Sequence, residues 1–200
     1  MAIETESKFP VDDLSKVASN LRHQGSLMVP WHFERNQVFD SPQGDLGSRG
    51  FLLRLRKALA TTLTFKRPLA HAADLPGIKQ LEEIECTVDD SQAMMAILQA
   101  LGYQETLVYE KFRSQWKVNG CTVCLDMLCF GTFVEIEGTG SDIPATAALV
   151  GLDPQTAISA NYHTLFHQYL TRRNLPITNS FVFSRQERTT LCRKLGIDTP

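Results

Sequence analysis

The sequence predicts an α+β fold in which eight antiparallel strands close into a barrel, with helices flanking it. Three observations lead there. About eight short segments alternate charged and apolar residues with a period of two. Most follow one another across short turns, which favours antiparallel pairing over parallel crossovers. Helical periodicity is sparse, and one of the helical stretches falls between the first two strands. Eight strands suffice to close a barrel with room for a ligand.

Residues 2–9 alternate and predict a strand. Residues 11–24 carry Val11, Leu14, Val17, Ala18 and Leu21 at helical spacing, with Asp12 or Asp13 as the expected N-cap and Gly25 as the stop. Residues 27–40 read as extended, and "SPQGDLGSRG" as a loop. "FLLRLRKA", "TTLTFKRP" and "KQLEEIECTV" each predict a strand. "DSQAMMAILQALG" predicts a helix capped by Asp90 or Ser91 and stopped by Gly102. "LVYEKFRSQWKV", "TVCLDML" and "TFVEIEG" complete the strands. Residues 144–151 and 161–173 read as helical, while the last twenty residues give no clear period.

No linker, repeat or low-complexity tract divides the 200 residues, so a single domain is expected, its core strands at about 2–140 and its C-terminal helices at 141–200. A net charge of −2 does not advertise nucleic acid or a membrane as partner, so any polyanion site must be local and enclosed. No stretch is long enough to span a bilayer. Glu4 and Glu6 stand where a signal peptide needs basic and then apolar residues, which predicts a cytoplasmic protein. The five cysteines are odd in number and lack framework spacing, so reduced thiols are expected. Cys121 and Cys124 lie three apart on a strand, hence on opposite faces, which argues against joint chelation.

The charged positions form one set. They are Glu4, Glu6 and Lys8; Arg54 and Arg56; Lys66; Glu83 and Glu85; Lys111 and Arg113; Asp126; Glu135 and Glu137, with apolar residues between them. A sheet with one wet face also alternates. Such a face, however, is usually rich in Thr, Ser and Gln, whereas these positions are almost purely ionic. Arginine pairs suit bidentate contacts to oxyanions. Two acid pairs on distant strands, Glu4/Glu6 and Glu135/Glu137, supply oxygen ligands for a hard divalent cation. A closed interior with carboxylates for metal and bases for an anion fits a metal-bound polyphosphate.

These motifs resemble the CYTH superfamily, the triphosphate tunnel metalloenzymes. "ETESK" matches that family's E-x-E-x-K signature, and "VFD", "LLRLR", "TFK", "EEIE", "EKFR", "LDML" and "GTFVEIE" follow in order over residues 2–140, with "NYHTLFHQYL" similar to the closing helix. The resemblance implies an eight-stranded tunnel that binds a triphosphate and one or two Mg²⁺ or Mn²⁺ ions. It implies metal on Glu4, Glu6, Glu135 and Glu137, and phosphates on Lys8, Arg54, Arg56, Lys66, Lys111 and Arg113. Lys8, Asp126 and Glu85 are the expected catalytic residues, Asp126 orienting a basic side chain or a water on the metal, and Glu85 meeting a basic partner or a second metal. Members of the family include inorganic triphosphatases, thiamine triphosphatases and class IV adenylyl cyclases.

The motif set therefore leaves a metal-dependent triphosphatase and an adenylyl cyclase side by side, with a non-catalytic polyphosphate or nucleotide sensor behind them because both acid pairs are complete. The expected partner is a triphosphate-bearing small molecule; a homodimer is left open. A cyclase would need a base pocket, for which "SPQGDLGSRG" and the "VPWHFERN" stretch are the candidates; Trp31, Phe33 and Trp116 read as packing residues rather than a base-stacking platform, with Trp31 and Phe33 left as candidates for adenine or thiazole contact. His163 and His167 lie four apart but lack the glutamate of a metalloprotease motif, and read as surface or capping residues. His23, His32 and His71 are isolated, and "RQERTTLCRK" reads as a solvated helix face.

Overall fold

The computed structural model describes residues 2–70 and 76–198; His71 lies outside them. Eight strands form a closed antiparallel barrel: β1 (Ala2–Val11), β2 (Ser26–Asp40), β3 (Leu52–Lys57), β4 (Thr61–Pro68), β5 (Lys79–Thr87), β6 (Gln104–Val118), β7 (Cys121–Leu128) and β8 (Gly131–Glu137). The order around the ring is β1-β5-β4-β3-β2-β6-β7-β8. Among the described residues, six α-helices flank it: α1 (Ser15–Gln24), α2 (Asp45–Ser48), α3 (Ser91–Ala100), α4 (Asp142–Leu149), α5 (Tyr162–Arg172) and α6 (Arg185–Leu195).

Register determines what the barrel holds. Directly opposite pairs include Glu6 with Glu137, Lys8 with Glu135, Lys66 with Glu83, Glu34 with Lys111, and Arg113 with Asp126. Opposite residues share a face and strand faces alternate, so these side chains all project into the barrel. Their apolar neighbours project outward. Phe9, Val123, Leu125, Val134 and Ile136 pack under α1 and α4 with Leu21, Ile143 and Ala147. Phe39, Leu53 and Leu55 pack with Leu98 of α3. The main apolar cores thus lie between barrel and helices, and the interior is ionic.

Two edges of the barrel are closed by single residues outside the strands. Beyond Glu6, β1 has β8 as its partner, and Ile158 exchanges two backbone hydrogen bonds with Lys8. β7 pairs with β6 only from Phe112 onward, and Phe181 bridges Val108 and Glu110 before that point. The C-terminal segment is therefore part of the barrel wall.

Helix ends follow their capping chemistry with two shifts. α1 begins at Ser15 because Val11 still belongs to β1, so Leu14, not Asp12 or Asp13, takes the N-cap position and no side chain caps the helix there; the Asp13 carboxylate accepts the Ser15 N–H at 2.8 Å from one residue further out. Asp90 accepts from the Gln92 and Ala93 N–H groups, and Gly102 follows α3 with φ +92°. A one-turn helix, α2, interrupts the expected loop after β2. The C-terminal stretch resolves into α6, with a Ser184/Glu187 capping box and Gly196 in the left-handed region at φ +67°. This helix is not merely a solvated face: Cys192 is buried, and Leu191 and Leu195 pack against a cluster containing Phe112 and Phe183.

Candidate active site

The barrel encloses a cavity of about 720 Å³. Lys8, Arg54, Arg56, Lys66, Lys111 and Arg113 all line it, as do Glu4, Glu6, Glu83, Glu85, Glu135 and Glu137. Twelve of the thirteen charged positions singled out in the sequence therefore face one space. The thirteenth, Asp126, is fully buried behind the bases and does not line the cavity.

The acids separate into two groups. Carboxylate oxygens of Glu4, Glu6 and Glu137 lie within 4.8 Å of one another. Burial, reinforced by Glu135, Glu4 and Glu6, pushes the Glu137 carboxyl up to about 7, although Arg113 opposes the shift. Glu135, two residues away, turns instead to the bases: it meets Lys8 at 2.8 Å and also pairs with Arg113. Burial alone would raise its carboxyl, but Lys8 and Arg113 hold it well below the ordinary range. The cluster that converges is thus Glu4, Glu6 and Glu137. Three carboxylates repelling one another in a half-enclosed space fit a divalent cation, which would relieve the charge that raises Glu137.

Each base is held by a partner. Lys66 pairs with Glu4 and lies 3.3 Å from Glu83. Arg56 donates to Glu85 at 3.1 Å, and the Thr64 hydroxyl donates to the same carboxylate at 2.8 Å. Glu85 therefore has the basic partner expected of it. Arg54 donates to the Tyr109 hydroxyl at 3.1 Å, while its Nε meets no partner among the described residues. Asp126 accepts from Arg113 Nε at 2.7 Å and from Lys111 at 3.1 Å. Burial would lower the Lys8 ammonium, but Glu135 and Glu6 hold it protonated above its ordinary value.

Several interior residues are new relative to the sequence reading. Tyr162, at the start of α5, donates its hydroxyl to Asp126 at 2.6 Å. Its ring lies 4.5 Å from Lys8 Nζ and 5.4 Å from Lys111 Nζ. Glu34 lies behind Lys111 at 3.7 Å and meets His32 at 3.2 Å. Burial would raise Glu34, yet Lys111 and the His32 hydrogen bond hold it well below the ordinary range. Lys79 reaches Glu6 at 3.8 Å. Strand parity points to these positions: Lys79 shares the face of Glu83, and His32, Glu34 and Asn36 alternate through "HFERN". Tyr162 carries no such signal, being brought in by a helix.

Of the two stretches expected to form a base pocket, one reaches the cavity. Gly44, Gly47, Ser48, Gly50, Phe51 and Leu52 line the cavity where β2 turns into β3, together with Leu107 and Phe181. Trp31 and Phe33 do not. Phe33 has the outward parity, lying edge-on to Phe112 at 5.3 Å with Arg188 of α6 over its ring, and Trp31 packs in the same outer cluster. Cys124 faces inward, its Sγ 4.0 Å from Glu137, whereas Cys121 packs in the outer core, so the two thiols do take opposite faces. His163 and His167 are half-buried, with ring centroids 4.1 Å apart and tilted against each other, rather than capping a helix end. Among the described residues, no helix is long and apolar enough to cross a membrane.

A family model described as the CYTH domain matches residues 2–150. A Methanocaldococcus jannaschii protein named as a putative adenylate cyclase is 29% identical over 143 residues, 70% of this chain and 79% of that protein. Among solved structures, a putative adenylate cyclase from Vibrio parahaemolyticus superposes with a TM-score of 0.71 at 20% identity, covering 82% of this chain and 97% of its own. A Hippeastrum protein, described as a putative adenylyl cyclase with a dominant triphosphatase activity, covers 100% of this chain and 98% of its own at TM-score 0.54 and 19% identity. At such identities the solved structures speak for the fold. The family model spans every strand of the barrel and all thirteen charged positions, and the chain belongs to the CYTH domain family.

Proposed function

We propose that this protein is a divalent-metal-dependent phosphohydrolase acting on a triphosphate held inside the barrel. The observation that carries the reading is the charge gathered in one half-enclosed cavity: a converging carboxylate trio beside seven Lys and Arg side chains. Glu4, Glu6 and Glu137, with Glu135 beside them, would hold Mg²⁺ or Mn²⁺. Once bound, such an ion supplies charge neutralisation on the phosphate oxygens and Lewis acidity.

The chain's own part is positioning and charge. Arg54, Arg56, Lys66, Lys111 and Arg113 neutralise phosphate oxygens, and Lys8 does so beside the acid trio. The bases enter the reaction already oriented, because Asp126 fixes Lys111 and Arg113 from behind while Glu85 fixes Arg56. Asp126 acts through these bases rather than on the substrate, since it does not line the cavity. No side-chain nucleophile is needed when water attacks a terminal phosphoryl group in line.

The second reading is a class IV adenylyl cyclase, in which a ribose hydroxyl attacks the α-phosphate and pyrophosphate leaves. The wall of Phe51, Leu52, Leu107 and Phe181 beside Arg54 favours it, being apolar enough for an organic group. Incubation with Mg²⁺ or Mn²⁺ and, in parallel, inorganic triphosphate, thiamine triphosphate and ATP separates the two. Phosphate release without cyclic AMP is the expected result. Cyclic AMP with pyrophosphate would transfer the assignment to the cyclase, and tight binding without turnover would make the tunnel a sensor. Glu6→Gln is expected to abolish turnover in either enzyme while leaving the protein folded; full activity in that variant would remove Glu6 from the metal set.

A further inference from the structure

We propose that His163 and His167 form a second metal site, for a zinc-class divalent cation, separate from the carboxylate trio. They stand one turn apart on α5, the spacing at which two helical histidines share a metal. Their ring centroids lie 4.1 Å apart, the planes tilted by 54°. The Nε2 atoms of both are closed to solvent, and neither has a hydrogen-bond partner among the described residues. An unpartnered buried ring nitrogen is costly, and two on adjacent turns of one helix point to a shared partner.

The surroundings suit an ion with an incomplete protein shell. A cavity of about 390 Å³ opens beside the pair, lined by Thr164, Gln168, Thr171 and Arg172. Water can fill the remaining coordination positions there, and Arg172 would draw an anionic ligand to complete them. The Thr171 hydroxyl already donates to the His167 carbonyl, which leaves its oxygen lone pairs available. Asn179 lies beside His163, where it can restrain the ring. Imidazole selects zinc, copper or nickel over magnesium, whereas the all-oxygen trio has the opposite preference, so the two sites need not compete.

The site has a structural consequence. His163 also lines the main cavity and directly follows Tyr162, which holds Asp126. A metal across His163 and His167 would brace the first turns of α5 and thereby the Tyr162 hydroxyl.

The test is calorimetric titration of Zn²⁺ in excess Mg²⁺, which keeps the trio occupied, on the wild type, H163Q, H167Q and C86S. Cys86 is the exposed thiol that serves as the control. One site is expected in the wild type and in C86S, weakened at least tenfold in each histidine variant. Zn²⁺ should also raise the melting temperature of the wild type and of C86S, and not that of either histidine variant. Both histidines are only half-buried, so circular dichroism should report an unchanged fold in the variants. Zn²⁺ binding that is absent, or as tight in H163Q or H167Q as in the wild type, overturns the proposal.

Discussion

Glu137 shows how one residue couples the site to stability. Burial and its acid neighbours push its carboxyl up to about 7 in the folded protein, against an ordinary glutamate value of 4.5. Between those pH values the folded state holds a proton that the unfolded state has lost, so stability falls as pH rises and levels off above about 7. The full shift corresponds to about 3 kcal/mol as an upper bound. Glu137→Gln removes the group that must ionise. In EDTA, the variant should be more stable than the wild type at pH 8 and indistinguishable at pH 4, as read by urea unfolding; equal stability at pH 8 would show that burial and the neighbouring acids do not hold the Glu137 carboxyl up. Tyr162 supports a second prediction. Tyr162→Phe keeps the ring near Lys8 and loses the hydrogen bond to Asp126, at a cost of about 1–3 kcal/mol. Tyr162→Leu also removes the ring face from two ammonium groups and should weaken triphosphate binding further. Equal affinities in Phe and Leu variants would leave the ring without a part in binding. The contrast between these residues explains what was legible. Glu137 is visible because a strand alternates, and its neighbour two positions away shares its face. That rule cannot say that Glu135 turns to Lys8 while Glu137 joins Glu4 and Glu6, since the choice depends on cross-strand partners. Tyr162 is invisible because helical periodicity does not show that a helix end projects into a barrel.

At the scale of elements, strands were readable to within a few residues because each carries its own period, and α3 because Asp90 and Gly102 mark its ends. The errors fall where local signals compete. The apolar period starting at Val11 suggests a helix, but pairing with Thr132 of β8 keeps Val11 in the strand. The reading of Trp31 and Phe33 as packing residues, by contrast, holds: parity turns Phe33 outward, and α6 covers that cluster. α6 itself is polar over most of its length, so its buried face rests on few residues, among them Leu191, Cys192 and Leu195. Such a helix depends heavily on its cap. In Ser184→Ala, the Glu187 N–H loses the hydroxyl it meets at 3.2 Å, which should cost about 1 kcal/mol. Hydrogen exchange is expected to accelerate across α6 and to stay unchanged in β1 and β8. Acceleration throughout the chain would mean that α6 unfolds only with the barrel.

On the scale of the whole molecule, the barrel inverts the usual arrangement: apolar cores outside under helices, ion pairs within. Closure was legible from eight alternating segments, whereas strand order was not, because the alternation is the same in every segment and carries no label for its neighbour. The inverted plan has an energetic consequence. Before ligand binds, most of the bases are held by acids, as Lys66 is by Glu4 and Glu83. A triphosphate entering alone must compete with those acids and face three clustered carboxylates. A divalent cation alone must enter beside Lys8, Lys66 and Lys79. Each ligand cancels the charge that opposes the other, so the two should bind with positive coupling, and the coupling must be reciprocal. A non-hydrolysable triphosphate analogue is expected to bind at least tenfold more tightly with Mg²⁺ than in EDTA. Mg²⁺ should bind more tightly by the same factor when the analogue is present. Glu4→Gln should shrink that factor by removing one carboxylate from the trio, whereas Glu82→Gln, altering an acid paired with Arg67 away from the cavity lining, should not. Equal analogue affinity with and without Mg²⁺ would mean that the carboxylates and the bases serve separate ligands, and the single-cavity account of this tunnel would fail.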